Sequence, residues 1–75
     1  MEKSIVSIIN KTDLVIMSCN CLEQLMVAEK FADRAESFML FKFGSDLTAE
    51  QAVTYSEFKN NNKQKIAAKK IMLKV

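Results

Sequence analysis

Ile5, Ile8, Val15, Cys19, Leu22 and Met26 follow one another in three- and four-residue steps, with Thr12 as the one polar member of the series. Such spacing keeps a single stripe on one side of a helix for three heptads. It predicts an amino-terminal helix. A β-hairpin competes, because residues 4–9 and 14–19 are rich in Ile and Val and flank Asn10-Lys11-Thr12-Asp13, which is good turn material. The helix is preferred because the stripe runs on without a change of phase into a stronger helical segment. Asp13 or Asn20 can start a new helix, and Asn20 with Glu23 has the spacing of a capping box.

Residues 21–43 read as a helix built from good formers with no breaker. Leu25, Ala28, Ala32, Ala35 and Met39 make one stripe, whose alanines admit a close neighbour. Phe31, Phe38 and Phe41 lie beside it, so the apolar arc is wide enough for more than one partner helix. Gly44, the only glycine, suits the left-handed residue that closes a helix. Thr48 then has Gln51 three residues on and Glu50 in the first turn, and Leu47 is placed to staple to Ala52. A short loop between two helices predicts an antiparallel pair, residues 21–43 against 48 onward. The last segment has apolar Ala52, Val53, Tyr55 and Phe58, then Asn60-Asn61-Asn62, then Ile66, Ala67, Ile71, Leu73 and Val75 among lysines. A helix crossing the asparagines with that turn exposed is the expectation. The predicted fold is all-α: an antiparallel helical hairpin plus an amino-terminal helix, a three-helix bundle forming a single domain over residues 1–75. The runner-up packs an amino-terminal β-hairpin on the αα-hairpin.

Composition narrows the chemistry. The 75 residues contain no His, so no imidazole base or metal ligand is present, and one glycine makes no phosphate cradle. Cys19 and Cys21, at i, i+2 on a helix, would point apart, and two thiolates without His do not close a zinc site. They are expected as two small buried residues. No catalytic residue, metal or cofactor is expected, and the chain is read as no enzyme. The longest apolar runs are four residues, among them Leu14-Val15-Ile16-Met17 and Phe38-Met39-Leu40-Phe41, far short of the roughly 20 needed to span a bilayer. With no export signal and reduced cysteines, a cytoplasmic location is expected.

Charge is sorted along the chain. Residues 1–58 carry five basic and nine acidic side chains, whereas residues 59–75 carry six lysines and no acid. Glu29, Asp33 and Glu36 fall in one row, with Lys30 and Arg34 interleaved, and read as a solvated face. Lys59, Lys63, Lys65, Lys69, Lys70 and Lys74 form the one basic cluster, a candidate contact for nucleic acid or an acidic partner. It lacks an arginine to fork onto guanine. Ser56-Glu57-Phe58-Lys59-Asn60 shares only its serine with the Ser-Gln-Glu-Leu-Asp motif of small sporulation-signalling phosphatases, so that comparison is set aside. The richness in Lys, Asn, Ile and Ser fits an AT-rich phage or bacterial genome.

Five phenylalanines in a thin bundle exceed what its core readily takes, which makes Phe31, Phe38, Phe41, Phe43 and Phe58 the candidate protein-interaction residues. The expected function is non-catalytic: a small adaptor, chaperone, inhibitor or regulator that binds another protein. The alternative is a nucleic-acid-associated regulator using the lysine-rich carboxy-terminal helix. A homodimer through the phenylalanine face is expected, since a chain this short buries only about 60% of its unfolded surface.

Overall fold

The computed structural model describes residues 3–74. They form α1 (Lys3–Met17), α2 (Leu22–Phe43) and α3 (Ala49–Lys74), each packed against the other two. The described residues contain no strand, so the hairpin alternative for the amino terminus is set aside. The reason lies in the stripe. A hairpin needs a period of two, whereas Ile5, Thr12 and Ile16 are all buried on one side of α1.

The stripe does not continue into α2. Leu22 and Met26 are exposed, and Ile16 is fully buried where Val15 is only half-buried. The chain turns between the helices, so the phase is reset. The Ser18 amide donates to Leu14 O at 3.0 Å, the Cys19 amide to Ile16 O at 3.3 Å, and the Ser18 hydroxyl to Val15 O at 2.9 Å. These bonds satisfy three of the last four carbonyls of α1. The expected capping box at Asn20 and Glu23 is shifted by one position: the Asn20 amide donates to Gln24 Oε1 at 2.7 Å, and Cys21 occupies the N-cap without a side-chain bond. The two cysteines therefore sit in the turn rather than on a helix. Cys19 is buried and its thiol lies 3.3 Å from Val15 O, whereas Cys21 is exposed.

The second turn matches its expected chemistry more closely. The Thr48 amide donates to Gln51 Oε1 at 3.0 Å, and the Gln51 amide to Thr48 Oγ1 at 3.1 Å, the reciprocal pair of a capping box. Gly44 has φ 88° and ψ −172°. That is not the left-handed helical cap expected, but a more extended region that is essentially closed to other residues.

Packing divides the interior into two apolar clusters. Ile5, Ala35, Met39 and Phe58 form one, and Ile16, Cys19, Leu25 and Ala28 the other. Between their levels come Thr12 on α1, Ala32 on α2 and Asn62 on α3, all almost fully buried. Thr12 satisfies itself by donating to Ile8 O at 2.8 Å. Asn62 corrects the expectation of an exposed asparagine turn: Asn60 and Asn61 are exposed, but Asn62 lies at the position where the buried face of α3 returns after Phe58. The alanines on α2 let the helices approach closely. The two flanks of α2 carry the surface features described next.

Candidate functional site

α2 sorts its charges by side. Glu29, Asp33 and Glu36 line a groove of about 560 Å³ against α3, opposite Lys59, Lys63 and Lys70. The acidic row is not simply a solvated face. Glu29 Oε1 lies 2.7 Å from Lys70 Nζ, and Glu36 Oε2 accepts from Asn62 Nδ2 at 3.1 Å, with both glutamates half-buried. Asn62 Oδ1 is buried without a hydrogen-bond partner.

The lysine cluster is also used by the fold. Lys65 Nζ pairs with Asp13 Oδ1 at 2.6 Å, and Lys69 Nζ donates to Cys19 O at 3.2 Å. Together with Lys70 they tie α3 to α1, to the first turn and to α2. Lys59 lies over the Tyr55 ring, 5.3 Å from its centroid. Lys63 lines the groove, and Lys74 is exposed. A phosphate approaching this side would meet carboxylates as well as ammonium groups.

The opposite flank of α2 differs in kind. Between α1 and α2 lies a crevice of about 400 Å³, floored by Ile8, Phe31 and Ala35 and closed at one side by Phe38. Lys11 rims it from α1 and Arg34 from α2, and no carboxylate lines it. Lys42, one turn beyond Phe38, places its ammonium 5.6 Å from the centroid of that ring. Among the described residues neither Lys11, Arg34 nor Lys42 is within ion-pair distance of an acid. Further along the same flank a smaller hollow of about 260 Å³ is lined by Val15, Val27 and uncharged neighbours.

The five phenylalanines divide three ways. Phe58 is core, at 3% exposure, and so is unavailable to a partner. Phe31 and Phe43 are half-buried against the cluster that contains Met39. Phe38 and Phe41 stand out at 47% and 81% exposure. The bundle thus absorbs more aromatic bulk than its thinness suggests, because α1 and Tyr55 cover the inner rings. Lys11, Arg34 and Lys42 were not among the sequence candidates. The signal for Arg34 and Lys42 was the spacing of Phe31, Arg34, Phe38 and Lys42, which stacks two cations between and beyond two aromatics on one helix flank, whereas Lys11 had none, since it joins them only through the packing of α1 on α2.

Among the described residues, no group of three Cys, Asp or Glu side chains is placed to hold a metal ion, and no helix is long and apolar enough to cross a membrane. No protein-family model matches the sequence, and no curated protein or solved structure is significantly similar to it.

Proposed function

We propose that the protein acts without catalysis, by binding another protein through the α1/α2 flank. The carrying observation is the pair Phe38, about half exposed at the edge of an apolar crevice, and Phe41, left largely in water one turn on, rather than folded onto the core. Exposed aromatics beside a concave apolar surface are the ordinary anchors of protein interfaces. Nucleic-acid binding through α3 draws less support, since Lys65, Lys69 and Lys70 are engaged within the bundle. A homodimer through the phenylalanine flank draws less too: a two-fold axis near Phe38 would bring Arg34 of one copy toward Lys42 of the other, and like charges oppose.

Co-purification of the tagged chain from its native host, followed by mass spectrometry, tests the reading when run beside Phe38→Glu and Phe41→Glu. Both side chains are exposed, so the variants should melt like the parent. A protein retained by the parent and lost from both variants supports the proposal. Identical retention by all three rejects this flank as the binding face. Retention of DNA that weakens with salt and ignores both phenylalanine variants would favour the lysine-rich helix instead.

A further inference from the structure

We infer that the α1/α2 crevice receives an amphipathic helix of the partner, whose apolar stripe is flanked by Asp or Glu on both sides. This rests on the docking role proposed above and specifies what docks.

Charge complementarity carries it. α2 holds Glu29, Asp33 and Glu36 on the α3 side, where lysines and an asparagine meet them, and presents Arg34 and Lys42 on the α1 side. Lys11 supplies the facing rim from α1. An apolar floor between two cationic rims, with no acid of its own, complements an apolar ridge between two acidic rows. Arg34 can take a carboxylate through both arms of its guanidinium, and Lys11 a second from the other side. A cationic or neutral helix would leave those rims unmatched or opposed.

Length argues for a helix over a small molecule. The apolar row on this flank of α2 has exposed Val27 at one end and Phe38 and Phe41 at the other, with half-buried Phe31 between them. At 1.5 Å per residue that row extends roughly 21 Å, which an occupant of about four helical turns would cover. The crevice itself accepts the one or two large side chains that anchor such a helix, as in other helix-in-groove complexes.

Fluorescence anisotropy on the full chain tests this with two labelled synthetic peptides. Both are stapled helices of about four turns. They share one Leu/Phe stripe and differ only in carrying Glu or Lys at the flanking positions. The Glu peptide should bind roughly tenfold more tightly at low ionic strength, the sum of two favourable and two opposed exposed pairs, and the gap should close in molar salt. Lys11→Glu combined with Arg34→Glu should invert the preference, and Arg34→Gln alone should shrink it. Phe38→Glu should weaken the Glu peptide. Equal affinity of the two peptides for the parent overturns the acidic-helix inference and leaves apolar docking standing. A Glu preference untouched by the Lys11, Arg34 and Phe38 variants places the site elsewhere and also overturns it. Failure of both peptides to bind removes the docking role itself.

Discussion

Gly44 and Thr48 fix the turn on which α3 swings back along α2, and each does so by a different means. Thr48 contributes hydrogen bonds that replace missing helical ones. Thr48→Ala should therefore cost about 1 kcal/mol in urea unfolding. Gly44 contributes backbone freedom. A Cβ there would meet nothing within 4 Å, so any penalty comes from φ 88° with ψ −172° and not from crowding. Gly44→Val should cost more than the Thr48 change, and Gly44→Ala should also destabilise despite the open space. Equal stability of Gly44→Ala and the parent would show that the turn relaxes to another conformation. The buried pair Phe58 and Asn62 gives the opposite contrast. Phe58→Ala should remove about 3–5 kcal/mol. A 75-residue chain has a total stability of roughly 4–11 kcal/mol, so that variant should be largely unfolded at modest urea. Asn62→Leu should be neutral or stabilising, because it removes an unsatisfied buried carbonyl while half-buried Glu36 can turn to water. A loss above about 2 kcal/mol in Asn62→Leu would mean that the Asn62–Glu36 bond holds α3 in register.

At the scale of elements, the helices and the second turn were legible because their signals are local. A period near 3.6 marked α1, an uninterrupted run of formers marked α2, and the Thr48–Gln51 spacing marked the start of α3. What was not legible depended on where helix axes go. The heptad pattern ran through residues 18–21 because a turn of four residues keeps a sequence period while redirecting the chain, so Leu22 and Met26 looked interior and are exposed. Asn62 looked like part of a polar interruption, yet the buried face of α3 passes through it four residues after Phe58. The site was half legible for the same reason: the aromatics stood out, but the cations beside them matter only once α1 is known to lie against that flank and not the other. The alanine stripe was read correctly, with Ala28 and Ala32 each at 1% exposure. Ala32→Leu should then prise α2 from its neighbours and cost about 1–3 kcal/mol by calorimetry, with no matching penalty for leucine at exposed Ala68. The ion pair of Lys65 and Asp13, about one-third exposed on each side, should show a coupling of no more than about 1 kcal/mol in a double-mutant cycle, falling with salt.

The whole molecule is long for its mass. Its extents are 42 × 17 × 17 Å and its radius of gyration is 13.0 Å, against roughly 11 Å for a compact domain of this length. Its accessible surface is 5422 Å², where a compact monomer of the same mass exposes roughly 4,700 Å². The excess is close to the roughly 800 Å² that one partner contributes to an interface of standard size. α1, at about 22 Å, is much shorter than α3, at about 39 Å, so part of the hairpin has no third helix over it. A partner that binds the α1/α2 flank of the folded chain should stabilise the fold by mass action as well as occupy it. Saturation with the Glu-flanked peptide at about a hundred times its Kd adds about 2.7 kcal/mol to the folded state. For a domain of this size each kcal/mol moves the melting midpoint by about 4–8 °C, so the rise should be roughly 10–20 °C. Tyr55 is the single tyrosine and packs on the core, so its fluorescence follows unfolding of the chain when the peptide carries no tyrosine. Phe38→Glu should reduce the rise in proportion to its loss of affinity. An unchanged midpoint under conditions where anisotropy shows saturation would mean that folded and unfolded chains bind the peptide equally, and the crevice would then not be its site.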